Sequence, residues 1–212
     1  MDLLQQVALG AGLSWASGIR LYAVLFLAGL LSRLGWVDLP AGLQLLNHDW
    51  VLGASGLMLA VEFFADKVPM LDSLWDAVHT FIRIPAGALL AVGAMGQLDP
   101  ALTAVAAILG GTIATGSHLA KAGSRALINT SPEPFTNWGA SLAEDLMVPA
   151  GLLVALKFPL VFLGLLGVFL ILAIWLVPKL WRGLRWMFSR LNRSNGVNRG
   201  VNREAKSGAG GG

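Results

Sequence analysis

Long apolar runs separated by a few crowded polar stretches organise this chain of 212 residues. Residues 3–32 are interrupted by a single charge, Arg20, and predict a first membrane-crossing helix. Residues 51–61 run on into Glu62, Phe63 and Phe64 and predict a second, with an acid at its end. The stretches 84–98 and 146–156 carry no charge but are short, 101–120 is a clean span, and 158–177 holds no polar side chain. A helix needs about 20 apolar residues to cross the hydrocarbon core. The pattern therefore predicts an all-α, polytopic helical membrane protein with about six transmembrane segments, two of them short or re-entrant. Five crossings follow instead if Pro149 and Pro159 share one kinked helix. Short segments at membrane depth must bury their loose backbone groups in protein or a wet cavity, which points to half-helices.

Composition agrees with the pattern. Hydrophobic residues are 56%, charged residues 13% and mean hydropathy +0.69, whereas a soluble domain carries roughly a quarter charged residues. The missing charge implies a surface wetted by lipid. Cysteine is absent, which excludes disulfides, thiolate catalysis and cysteine-ligated metal. No cofactor is implied. The formal charge of +3 resolves into a basic tail and a mildly acidic body, so nucleic acid is a poor inference from it. The N-terminal MDLLQQVALGAGLSWASG lacks a basic start and reads as a retained first span rather than a signal peptide.

The chain divides into a helical transmembrane domain at 1–178, a basic interfacial amphipathic helix at 179–191, and a disordered, basic, glycine-rich tail at 192–212. Trp181, Leu184 and Phe188 share one face of the middle segment, away from Arg182, Arg185 and Arg190, as a helix lying against anionic lipid headgroups would have them. With six crossings, the positive-inside rule puts both termini in the cytoplasm of a bacterial inner membrane. Two echoes, ASGIRLYAV (16–24) with ATGSHLAKA (114–122) and PAGALLAV (85–92) with PAGLLVAL (149–156), raise the reading of an inverted pseudo-repeat, set against chance similarity among small residues. Ala106, Gly110 and Ala114 form a small-residue stripe suited to close helix packing, internal or between copies in a homo-oligomer.

The chemistry gathers in two blocks. In the first, Glu62 and Asp66 are four residues apart, Lys67 follows, and Asp72, Asp76, His79 and Arg83 step by four, three and four along one helix face. In the second, His118, Lys121 and Arg125 step by three and four. A turn with two prolines then exposes Asn129, Thr130, Ser131 and Glu133, and Asn137, Ser141, Glu144 and Asp145 lead into Pro149. Arg20 needs a carboxylate partner, for which Glu62, Asp66, Glu144 and Asp145 are the candidates, because an unpaired charge in lipid costs several kcal/mol. Three readings stay open: a polar pathway or binding cavity for an ion or small polar solute, ion pairs that only fix helix register, and a metal site from Asp72, Asp76 and His79 with a catalytic role. No nucleophile–base motif is legible.

ADKVPMLDSLWDAVHTFIRIPAGALL and NTSPEPFTNWGASLAEDLMVPAGLL, with SGIRLY near the start, resemble the DUF4126 family of bacterial integral membrane proteins over about residues 8–176. The resemblance implies kinship of fold and supplies no substrate, cofactor or catalytic residue.

Overall fold

The computed structural model describes residues 1–68, 70–130 and 134–208; for Pro134, Leu184 and residues 186–208 it describes the backbone alone. Among these there is no strand. The order is α1 (Leu3–Arg33), a 3-10 turn (Ala41–Asn47), α2 (Asp49–Ala65), α3 (Leu71–Ala94), α4 (Pro100–Ile128), α5 (Pro134–Lys157) and α6 (Pro159–Gly208). By length and composition α1, α3, α4, α5 and the part of α6 up to Gly183 could each cross a membrane. With 17 residues, α2 is shorter.

Helix α1 reaches its length only as the sum of two arms. Arg20 has extended backbone angles (φ −143°, ψ 87°) inside it, and the chain folds back there. Leu9 and Leu31 would stand about 33 Å apart in a straight helix, yet they line one small cavity together with Leu13, Ala28 and Leu39. Met1 and Gln5 likewise share a cleft with Leu31. No proline causes the break. Ser14 Oγ lies 2.8 Å from the carbonyls of both Gly10 and Gly87, and Ser17 Oγ donates to the Ser14 carbonyl at 2.8 Å. Such back-bonds compete with the helical ladder, and the contacts around Arg20 hold the bend.

This re-entrant hairpin is the centre of the bundle. Its most apolar stretch is 72% buried, against a third or less for the other long helices. Leu9, Leu13, Ile19 and Val24 from its arms form the core with Leu90, Val148, Leu152 and Phe162. Close approach is purchased with missing side chains: a Cβ on Gly18 would strike Ser117 Oγ and the Ala114 carbonyl, one on Gly87 would strike Ala114, and one on Gly151 the Trp15 ring. The two Pro-Ala-Gly segments thus seat α3 against α4 and α5 against the first arm of α1.

Three expectations are corrected. The segments read as short, 84–98 and 146–156, belong to helices of 24 residues each. Their polar approaches continue the same helix through Pro85 and Pro149, and the re-entrant element is α1 instead. The break at Phe158, which lies between Lys157 and Pro159 outside any helix, keeps α5 and α6 separate. The first echo begins with the two segments running in the same direction rather than opposite ones, because Gly18 packs on Ser117 while Ala91 packs on both Gly10 and Gly110, and residues 16–24 then turn back at Arg20. An inverted repeat does not describe them.

The hairpin also changes where the ends lie. Gly10 meets Ala94, Gly12 meets Ala155, and Gly123 meets Leu180. The N-terminus therefore stands at the end of the bundle with residues 33–48, 95–99 and 157, whereas α6 leaves at the opposite end, beside residues 66–68, 70–71 and 129–130. Because α1 returns to its own side, the start of α1 and the exit of α6 lie at opposite ends of the bundle. The stripe of Ala106, Gly110 and Ala114 packs internally, with Gly110 against Ala91 and Ala114 fully buried. The backbone of α6 runs through Pro178 to Gly208. No proline follows Pro178 to interrupt the ladder.

The chain has no cysteine of its own, so single cysteines can map this arrangement. Asp38→Cys and Asp99→Cys should react with an impermeant maleimide from one side of the membrane, Thr130→Cys and Arg182→Cys from the other. Labelling of Asp38→Cys and Thr130→Cys from the same side would refute the hairpin.

Candidate functional site

Each helix that meets the tip of the hairpin presents charge inward and oil outward. On α3, Asp72, Asp76, His79 and Arg83 are buried, while Leu74, Val78 and Phe81 are 61%, 56% and 83% exposed. Lipid thus wets one face while the charges face α1, α2 and α4. On α4, His118, Lys121 and Arg125 are buried. Glu62 ends α2, Asp66 follows it, and Asn137, Ser141 and Glu144 line the inner face of α5.

Four cations anchor the network. Arg20, at the hairpin tip, holds Asp66 Oδ2 at 3.0 Å through Nη2 and Asp145 Oδ1 at 3.1 Å through Nε, and donates to Ser141 Oγ at 2.9 Å. Glu144 stands 3.9 Å away. Arg83 bridges Glu62 and Asp76, the latter at 2.7 Å. Arg125 makes a two-pronged contact with Glu144, both distances 2.9 Å, and donates to the Asn137 side chain and carbonyl. Paired donors of this kind are the strong form of the arginine–carboxylate bond. Lys121 Nζ stands among Asp66 (3.1 Å), Asp76 (3.3 Å), Glu144 (3.4 Å) and the Ile19 carbonyl (3.1 Å). All four sequence candidates for Arg20 thus enter the network, but Glu62 serves Arg83.

The rim is looser. Lys67 lies 3.7 Å from Asp145 Oδ2, and its ammonium sits 3.0 Å over the Phe63 ring. Between α2 and α3, partial burial holds the Lys67 ammonium below the ordinary lysine value, with Asp145 pulling it back up. Asp72 accepts from Asn129 at 2.7 Å. Six carboxylates (Glu62, Asp66, Asp72, Asp76, Glu144, Asp145) face five cations (Arg20, Lys67, Arg83, Lys121, Arg125). By count, acids exceed lysines and arginines by one in this network among the described residues. Glu62 Oε2, Asp66 Oδ1 and Asp76 Oδ2 are buried with no hydrogen-bond partner among the described residues.

Asp72, Asp76 and His79 do not come together as metal ligands. His79 turns to the Trp75 carbonyl (2.8 Å) and the Tyr22 hydroxyl (3.2 Å), and Asp76 is engaged by Arg83 and Lys121. Among the described residues no trio of His, Asp or Glu could hold a metal ion. Glu133 lies outside the described residues. Sequence reasoning missed Tyr22 and Thr80, which contact His79 and His118 (Thr80 Oγ1 at 2.7 Å). Tyr22 is the one tyrosine of the chain, two positions from Arg20, and Thr80 is four residues after Asp76.

Fold and site together define a polytopic helical membrane protein built around a buried network of charge. The family model for a domain of unknown function (DUF4126) matches residues 7–179, and the chain belongs to that family. No curated protein and no solved structure matches it.

Breaking a buried pair by removing one partner costs about 3–5 kcal/mol, since the other charge is stranded. Arg83→Leu should destabilise the detergent-solubilised protein by that amount, measured by denaturant unfolding. Adding Glu62→Leu to it should recover part of the loss. Additivity of the two single effects within about 0.5 kcal/mol would show that the pair does not interact.

Proposed function

We propose that this protein is a small transporter or channel that moves an ion, a cation before other solutes, through the polar network at the tip of its hairpin. The observation that carries the reading is a charge network with a surplus carboxylate, buried in a lipid-facing bundle and gathered around a broken helix. Intramembrane ionisable groups mark ion and proton routes, and unwound helices at membrane depth form cation sites in many transporters. Lys67 and Asp145 are 29% and 18% exposed at the rim, so access is from the end where α6 leaves. The other half of the bundle is filled by Leu9, Leu13, Val148, Leu152 and Phe162, and passage requires the hairpin to shift against α3 and α5.

That same end carries Lys67, Lys179, Arg182 and Arg185, while the opposite end has Arg33 and Lys157 among Asp2, Asp38, Asp49 and Asp99. By the positive-inside rule the basic end faces the cytoplasm of a bacterial inner membrane, with the C-terminus inside and the N-terminus outside. Lys179 and Arg182 on α6 then lie near anionic headgroups, beside Trp175 and Trp181.

A second reading, a non-transporting scaffold or lipid-organising factor, draws on the complete burial of Arg20, Arg83 and Arg125. Such a closed network would serve to fix helix register.

Vesicles reconstituted with purified protein separate the two. The transport reading expects flux of protons or monovalent cations above protein-free vesicles, with Asp66→Asn slowing it at least tenfold while the protein stays folded. No flux over a panel of protons, sodium, potassium, ammonium and small neutral solutes would sink it. Under the scaffold reading, Asp66→Asn damages folding or assembly instead.

A further inference from the structure

The environment of Lys121 is that of a bound cation rather than of a simple ion pair. Three carboxylates from three elements, Asp66 after α2, Asp76 of α3 and Glu144 of α5, stand 3.1–3.4 Å from its Nζ. A fourth oxygen, the Ile19 carbonyl, completes the shell at 3.1 Å. That carbonyl is available because the helix breaks at Arg20 (φ −143°, ψ 87°), which withdraws its normal backbone donor four residues on. Exposed carbonyls at a broken helix joined to acidic side chains are the ingredients of a monovalent-cation site. The same carboxylates hold capacity in reserve. Among the described residues Asp66 Oδ1 and Asp76 Oδ2 have no hydrogen-bond partner, on residues 0% and 1% exposed, and the network has more acids than bases.

We infer that Asp66, Asp76, Glu144 and the Ile19 carbonyl form a monovalent-cation site which the chain fills with the Lys121 ammonium, and that a free cation of ammonium or potassium size exchanges with it. The oxygens are spaced for such an ion. Magnesium and calcium sit about 2.0–2.6 Å from their oxygens, closer than these carboxylates approach Nζ. Lys121 hangs on a flexible four-carbon stem, so it can leave the shell while still attached to α4. Around it, Arg20, Arg83 and Arg125 set the charge from α1, α3 and α4, with His118 one turn away on α4 and Lys67 at the rim. This deepens the transport reading by naming the ion class and the group it displaces.

Chemical rescue tests it. Lys121→Ala removes the tethered ammonium and leaves three carboxylates facing one another, so its melting temperature in detergent should fall below that of the native protein. Ammonium, methylammonium and potassium chlorides should restore it saturably, by about 5 °C, while choline chloride at equal ionic strength does not. Asp66→Asn added to Lys121→Ala should weaken that rescue at least tenfold in concentration. The native protein supplies a second arm that does not depend on the variant folding. Potassium should speed acetylation of Lys121 by a small amine reagent, read by mass spectrometry, at least threefold over choline. Rescue no better with these ions than with choline, or a Lys121 acetylation rate indifferent to potassium, would overturn the site. Success in these arms with no vesicle flux would reject transport and keep the site. Flux without them would do the reverse.

Discussion

Hydrocarbon offers no partner to a charge or to a loose backbone group, and the structure is organised by that refusal at one residue. Arg20 interrupts the first helix, strands carbonyls at its tip and brings a guanidinium into the middle of an apolar run. Both debts must be met inside the protein. Asp66, Ser141 and Asp145 meet the guanidinium, and Lys121 meets the Ile19 carbonyl. Because those partners come from three separate elements, satisfying one residue draws α4, α5 and the end of α2 together.

The network spreads from that point by the same logic. Each new ion needs closing in turn: Asp66 is shared with Lys121, Lys121 with Asp76 and Glu144, Asp76 with Arg83, Glu144 with Arg125. Desolvation makes such pairs costly to create and costlier to break. They confer geometric specification more than stability, since few other arrangements of these helices would leave every cation a carboxylate. A surplus acid in so tight a set is the feature a purely structural network has least use for.

The apolar half answers a different need. There the first arm of α1 packs against α3, α4, α5 and α6 through Gly18, Gly87, Gly151 and the Trp15 ring, which meets Phe162 and Phe169 edge to face. Small residues at these crossings let helices approach where no hydrophobic force drives them together in lipid. A rigid apolar seat on one side and a charged, rim-exposed cluster on the other give the hairpin two unlike surroundings along its length.

Much of this was legible in the chain itself. Apolar runs longer than a bilayer is thick imply membrane helices, and acids and bases at steps of three and four imply one charged face per helix. The burial of Asp72, Asp76, His79 and Arg83 opposite an exposed Leu74, Val78 and Phe81 follows from that period alone. Local pattern could not reveal that residues 3–33 turn back on themselves. The break has no proline, and it depends on partners as distant as Ser141 and Asp145. From that one bend followed the direction of every later helix, the separation of the start of α1 from the exit of α6, and the pairing of Glu62 with Arg83 instead of Arg20. Periodicity reports which side of a helix is polar. Which charge each polar group meets is decided by long-range packing, because only there does the cost of leaving an ion unpaired select among otherwise equal folds.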